Sequence, residues 1–207
     1  MFVGKRMTKD VIVVAPGDTL EHAARLLAGH RIHRMPVMEG DRLVGIVTDT
    51  DIRNAAFRDA QAGTPPGART VGEIMTREVI TVSPQDTVED ALLILQKKRL
   101  GALPVIDGGR LVGIITKADV LAALIETLDI EGIGSRIEVI LPGDVGSVLG
   151  LIERIGKMGI EIRSLVLAPH RDRFAAFLRL ATIDVAKAKA ALREAGFTVA
   201  ELTDFLG

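Results

Sequence analysis

The sequence predicts a mixed α/β (α+β) chain: two copies of a β-α-β-β-α unit, then one β-α-β-β-α-β unit. Three observations predict it. Met7-Thr8 falls on Met75-Thr76, and the same offset of 68 lays the first third of the chain on the second without a gap. Each copy carries one apolar stripe of helical period, followed by two short extended runs around a turn. Beyond about residue 128 the repeat stops, and extended and helical patterns alternate in a different order. Gapless agreement at a fixed offset is the mark of a duplicated structural unit.

The elements can be read in order. Val11 to Val14 is a short extended run closed by Pro16-Gly17. Asp18-x-x-Glu21 predicts a helix start of capping-box type, and Asp86-x-x-Glu89 repeats it. Leu20, Ala23, Ala24 and Leu27 then stand at helical spacing, as do Val88, Ala91, Leu92 and Leu95. Arg34 to Met38 reads as a strand, with Pro36 arguing for an edge or an irregular start. Glu39-Gly40-Asp41 is a turn, matched by Asp107-Gly108-Gly109, and Leu43 to Val47 completes a hairpin. A helix follows from Asp49 to about Phe57. A unit of this length buries little core alone, so the two copies are expected to pack together. The expected boundaries are 1–57 for the first copy, 58–70 for a linker stopped by Pro65-Pro66-Gly67, and 71–128 for the second copy. A hinge at 129–135 and a third unit at 136–207 follow.

In that third unit, Arg136 to Leu141 reads as a strand. Val145, Val148, Leu149, Ile152 and Ile155 form a helical stripe that ends near Gly156 to Gly159. Ile160 to Ala168 and Phe174 to Ala181 read as strands around Pro169-His170-Arg171-Asp172. Asp184 caps a helix that runs to Ala195, Gly196 ends it, and Phe197 to Leu202 is a last strand. This order is the ferredoxin-like pattern.

Composition removes several function classes. Lys and Arg number 26 against 27 Asp and Glu, so no basic field awaits nucleic acid. With 3% aromatics and neither Trp nor Tyr, base-stacking platforms for single strands are not expected. The absence of Cys excludes disulfides, thiolate nucleophiles and Cys-ligated metals. MFVGKRMTKD contains no apolar signal-peptide core, and no apolar run reaches the ~20 residues that cross a bilayer. A soluble cytoplasmic protein without membrane contact is expected. His30-x-x-His33 invites a metal, but no third ligand accompanies it and no metal is expected; His22 and His170 read as surface residues.

The repeat places chemistry in one motif, GIVTDTD from Gly45 to Asp51 and GIITKAD from Gly113 to Asp119. Thr48 and Thr116 each close a strand and open a helix. One reading is a helix cap, with the Thr hydroxyl on a free N–H and Asp51 or Asp119 complementing the dipole. The other is a ligand site. A helix N-terminus offers N–H groups to an anion, and an acid in the first turn can accept ribose hydroxyls. On that reading the glycine leaves room for close approach, and Met35-Pro36-Val37 or Leu103-Pro104-Val105 walls a flat base.

The Met-Thr opening, the strand with a central proline and the doubled Gly-h-h-Thr-x-x-Asp signature resemble a pair of CBS domains over about residues 1 to 128. That family commonly binds adenosine derivatives. The resemblance implies that Thr48, Asp51, Thr116 and Asp119 contact sugar, in two related sites in the cleft between the repeats. The wall for a base makes Met35, Pro36, Leu103 and Pro104 further candidate ligand contacts. His33-Arg34 resembles phosphate-contacting positions of nucleotide-binding members, and repeat two has Gly101-Ala102 there instead. The alternative for His30, Arg31, His33 and Arg34 is a solvated basic edge. Residues 136–207 resemble an ACT domain, with Asp144, Val145 and Gly146 as its ligand loop. The family's Asp-x-Pro-Gly stands here as Gly143-Asp144-Val145-Gly146, with the acid displaced and the proline absent, which puts amino-acid binding in doubt. The CBS–CBS–ACT order resembles the acetoin-utilisation AcuB type.

The resulting expectation is a non-catalytic regulator, a homodimer, with no obligatory cofactor. It binds an adenine nucleotide (AMP, ADP, ATP or a related adenosyl ligand) and transmits this to a protein partner. The alternative is a structural dimerisation or docking protein whose motifs are only caps. No nucleophile–base pair or dense carboxylate cluster argues for an enzyme.

Overall fold

The computed structural model describes residues 1–63, 69–170 and 172–201. It divides into two units, Met1–Ala123 and Leu124–Gly207. In the first unit each repeat opens with an arm that belongs to the other repeat's core. Val3 and Gly4 donate their N–H groups to Asp86 and Pro84 at 2.9 and 3.0 Å. Val71 and Gly72 do the same to Asp18 and Pro16 at 2.9 and 2.8 Å. The arms form one 3-10 turn, Val3–Lys5, and its twin α3, Val71–Ile74.

Each repeat body runs helix, hairpin, helix: α1 (Leu20–His30), β1 (Arg34–Glu39), β2 (Arg42–Thr48) and α2 (Asp49–Ala62). Its counterpart is α4 (Val88–Lys97), β3 (Ala102–Asp107), β4 (Arg110–Thr116) and α5 (Lys117–Thr127). Each hairpin is antiparallel and carries a register shift after its central valine, Val37 or Val105. The buried side of α1 (Leu20, Ala23, Leu27) meets Met35, Val37 and Val47 of the hairpin and Ile52 and Ala55 of α2. Val71 and Met75 of the arm complete that cluster. Each large apolar side chain so enclosed contributes about 1.5–3 kcal/mol over leaving it in water.

Several expected features differ. The run Val11 to Val14 is no strand; only Val14 bridges, in parallel, to Val37, and Val82 to Val105 likewise. The strand that flanks β2 on its far side is the opposite repeat's arm: Ile46 exchanges both backbone hydrogen bonds with Thr76 at 2.9 Å, and Ile114 does so with Thr8. Pro36 sits mid-strand opposite Ile46. Because Ile46 spends its N–H and C=O on Thr76, that pair needs no N–H from the proline. The helix caps are Thr19 and Thr87. Asp18 and Asp86 instead accept the N–H of Ala15 and Ser83 at 2.8 Å, tightening the preceding turn. Helix α2 continues past Phe57 to Ala62, because no breaker precedes Gly63, whose φ of 67° ends it. Pro65, Pro66 and Gly67 lie outside the described residues.

The second unit is built on β5 (Ser135–Pro142), α6 (Val145–Lys157), β6 (Ile162–His170), β7 (Arg173–Leu180), α7 (Val185–Glu194) and β8 (Thr198–Val199). The sheet order is β6-β7-β5-β8, antiparallel throughout. That is the arrangement expected of a β-α-β-β-α-β chain. Ile137, Val139 and Leu141 alternate inward from β5 and meet Leu151 and Ile155 of α6 and Leu192 of α7. The last strand is shorter than expected, and Leu202 lies outside the described residues.

Candidate functional site

The two Thr-x-x-Asp motifs fold identically. Asp51 Oδ2 accepts the Thr48 N–H at 2.9 Å and its hydroxyl at 2.7 Å, while Thr48 Oγ1 accepts the Asp51 N–H at 3.1 Å. Asp119 and Thr116 repeat this at 2.8, 2.7 and 3.2 Å. The motif is therefore a true capping box in both copies. All the accepted bonds fall on Oδ2. Oδ1 of each carboxylate takes no part in the box.

The expected role of the motif glycines is not what the structure assigns. A Cβ on Gly45 would stand 2.5 Å from Met75 Sδ and 3.1 Å from the Thr76 carbonyl; one on Gly113 would stand 2.5 Å from Met7 Sδ and 3.0 Å from the Thr8 carbonyl. The glycines admit the arm of the opposite repeat. Gly and Met-Thr recur together because each is the other's packing partner.

A cavity of about 420 Å³ opens between the repeats at the start of α5. This is within the ~300–1,000 Å³ of small-molecule sites. Thr116, Lys117 and Ala118 bring the helix N-terminus to it. Val11, Ile12, Ile32 and Ile114 form its apolar side, and Arg31 and Arg34 add positive charge, opposed by Asp10, with His33 beside them. The Arg34 guanidinium lies in the space that a Cβ on Gly101 would take. The Gly101 carbonyl in turn receives the Lys117 N–H at 3.2 Å, so Arg34 of repeat one stands at the helix start of repeat two. Arg31 caps α1 in the left-handed region, φ 54°, where glycine is the usual occupant. That cap turns the chain so that Arg31, Ile32, His33 and Arg34 pass along the cavity in succession.

Not every expected contact residue reaches this cavity. Met35 and Leu103 are fully buried in the hydrophobic core, and Pro36 and Pro104 are buried between them and the next residue of each strand. The flanking Val14 and Val82 bridges cover that side, and the apolar side of the cavity comes from Val11, Ile12, Ile32 and Ile114. Thr48 and Asp51 occupy the equivalent place at the start of α2. Beside them His33 Nδ1 stands 3.4 Å from Asp49 Oδ2, with Arg53 at 3.7 Å. Partial desolvation pushes the Asp49 carboxyl up, but the His33 bond, the Arg53 charge and the bonds from Thr50 outweigh it and hold it below the ordinary 3.8.

In the second unit, Asp144 is the N-cap of α6, accepting the Ser147 N–H at 2.9 Å, and Val145 and Gly146 are the first helical residues. Ser147 Oγ also bonds the Pro142 carbonyl at 2.9 Å. A cavity of about 510 Å³ beside this turn is lined by Gly143, Ser147, Asp172 and Arg173 among others. Among the described residues no group of three or more His, Asp or Glu could hold a metal ion. No helix there is long and apolar enough to cross a membrane.

Sequence comparison agrees with the repeat: the CBS domain model matches residues 3–58 and 71–126. The chain belongs to the CBS domain family. It is 33% identical over 113 residues to the CBS domain-containing protein YhcV of Bacillus subtilis, covering 55% of this chain and 78% of YhcV. It is 39% identical over 113 residues to inosine-5'-monophosphate dehydrogenase of Korarchaeum cryptofilum, but spans only 22% of that enzyme. The chain likewise spans 44% of MJ1225 of Methanocaldococcus jannaschii, at 40% identity. Among solved structures, CBSX2 in complex with AMP superposes with a TM-score of 0.54 at 31% identity, over 60% of this chain and 96% of that one. The CBS pair of MJ0100, in complex with 5'-methylthioadenosine and S-adenosyl-L-methionine, gives 0.54 at 29% over 60% and 99%. A candidate acetoin utilization protein (AcuB) from Vibrio cholerae gives 0.56 at 28% over 63% and 95%.

Proposed function

We propose that this protein is a non-catalytic regulator whose CBS pair binds an adenine nucleotide in the cleft between the repeats and passes its occupancy to a protein partner. The cleft at the start of α5 carries the reading. It joins an apolar side for a base, Thr116 with its box partner Asp119 for a ribose, and a helix N-terminus with Arg31, Arg34 and Lys117 for phosphate. CBSX2 with AMP and MJ0100 with adenosyl compounds support the ligand class. Asp51 and Asp119, oriented by Thr48 and Thr116, offer Oδ1 to ribose hydroxyls while their boxes cap the helices. The ligand acts by favouring one arrangement of the molecule over another.

The second unit is read as an ACT-like docking module, as in the AcuB type. Its Asp144 is spent on the helix cap, which favours docking over amino-acid sensing. A homodimer is supported by Phe57 and Leu121, apolar side chains left 66% and 58% exposed on α2 and α5. Localisation is taken to be cytoplasmic.

Titration calorimetry of the full chain with ATP, AMP and adenosine tests the reading, on wild type, Asp51→Ala and Asp119→Ala. Loss of the carboxylate at an occupied seat is expected to weaken binding there by roughly tenfold to a hundredfold. If both variants bind as wild type does while melting lower, Thr-x-x-Asp is only a cap, and the alternative of a ligand-free structural dimeriser is the correct one.

A further inference from the structure

We infer that the two halves of the cleft are opposite in charge, so that a phosphorylated ligand takes one seat per chain, at the start of α5, and the equivalent seat at the start of α2 rejects it. This rests on the adenine-nucleotide reading above and deepens it.

The two seats are related by the same backbone contacts. Lys117 donates its N–H to Gly101, and Asp49 donates its own to His33 at 3.0 Å. Thr8 flanks β4 as Thr76 flanks β2. The offset of the repeats therefore pairs the lining residues one by one. At the α5 seat stand Arg31, Arg34 and Lys117, with Asp10 and His33 beside them and Asp119 in the box with Thr116. Their counterparts at the α2 seat are Arg99, Ala102 and Asp49, with Glu78 for Asp10 and Gly101 for His33. With the box aspartates and with Arg53 beside Asp49 included, three cations against two acids at α5 become two cations against three acids at α2.

Position decides more than the tally. Lys117 and Asp49 are each the first residue of their helix, where N–H groups would meet a phosphate. At α5 a cation reinforces those donors. At α2 a carboxylate occupies the place a phosphate needs, and it stays ionised because His33 and Arg53 hold it. Arg34 widens the difference. It leaves its own repeat to lie over Gly101, and Ala102, its counterpart, is buried and without charge. The missing side chain at Gly101 is thus what lets one repeat lend its arginine to the other.

The test is titration calorimetry of the full chain with AMP and with adenosine, on wild type, Lys117→Asp and Arg34→Gln, each checked for its melting temperature. Lys117→Asp writes the residue of α2 into α5 at a helix start where an acid is favourable, so folding is preserved. The expected result is one AMP per chain in wild type. Lys117→Asp should weaken AMP at least about tenfold and leave adenosine within about twofold, a charge effect that reads on the phosphate alone. Arg34→Gln should act in the same direction without adding a negative charge. Two equivalent AMP per chain, or AMP affinity unchanged in both variants, overturns the inference while leaving the adenine-nucleotide reading standing. Absence of binding by both AMP and adenosine to wild type overturns that reading and the inference with it.

Discussion

Arg34 and Gly101 fit together as filler and gap: the guanidinium of one occupies the volume that any side chain on the other would claim. They stand in different repeats, and Gly101 is the counterpart of the histidine that precedes Arg34. The duplicated halves have diverged in a matched pair of positions, one gaining a long cation and the other losing its side chain.

Gly101→Ala therefore becomes a probe of the arginine without touching it. The new methyl group displaces a flexible, partly exposed side chain, so stability should change by less than about 1 kcal/mol, as at other surface positions. AMP affinity should fall, while adenosine affinity should hold. Parallel thermal melts and titrations check both, and a loss of stability without change in AMP affinity would mean that Arg34 is structural.

Gly45 and Met75 make the opposite case, a close approach sealed in the core. Met75 is 8% exposed, and a Cβ on Gly45 would also meet the Thr76 carbonyl at 3.1 Å, so there is little room to yield. Gly45→Ala is expected to cost about 1–3 kcal/mol through overpacking. In the background of Met75→Ala the same substitution should cost much less, because the cavity accepts the methyl group. A double-mutant cycle by denaturant unfolding measures the coupling. Additive effects would show that the arm is not held by this contact.

What the sequence made legible was local. The helical stripes, the hairpins with their Gly turns and the Thr-x-x-Asp boxes all arise within a few residues, and the offset doubles every one of them. The arm exchange was not legible, because a single bridging residue such as Thr8 or Thr76 leaves no periodicity to read. Helix caps at Thr19 and Thr87 were missed by one residue, since the adjacent aspartates also make good caps and the structure uses them in the turn instead. At the site, Thr116 and Arg34 were legible, but Lys117 was not, although setting TDTD against TKAD at the same offset exposes it. Met35 and Leu103 looked like a ligand wall because apolar strand residues read alike whether they face a ligand or a core.

Asp49 gives a pH dependence of definite sign. Its folded-state pKa is depressed, so the stabilisation is present above the ordinary 3.8 and is lost as pH falls through the lower folded value. Its side chain is 33% exposed, and solvent screening keeps the effect modest. Melting temperatures of wild type and Asp49→Asn should differ most near neutrality and converge as pH falls toward the acid limb. A gap that stays constant from pH 6 down to the acid transition would show that the Asp49 charge contributes nothing.

In the second unit, Arg179 ties down the segment that precedes β5. Its guanidinium donates to the carbonyls of Ile130 and Gly132, both at 2.6 Å, from a strand position next to Arg136, whose own guanidinium stands 5.6 Å from the Phe177 ring centre. Two charge-assisted bonds to backbone carbonyls are strong contacts for a segment with few apolar anchors: Ile130 and Ile133 are 48% and 85% exposed. Arg179→Met keeps the aliphatic stem on the sheet and removes both bonds. Hydrogen exchange should then quicken across 129–134, while β5 and β7 keep their protection, because the sheet's core lies on its other face. Arg179→Lys should restore part of the protection, since both bonds come from the one nitrogen Nη2 and an ammonium likewise carries several N–H donors. Unchanged exchange across 129–134 in Arg179→Met would show that backbone geometry alone holds the segment.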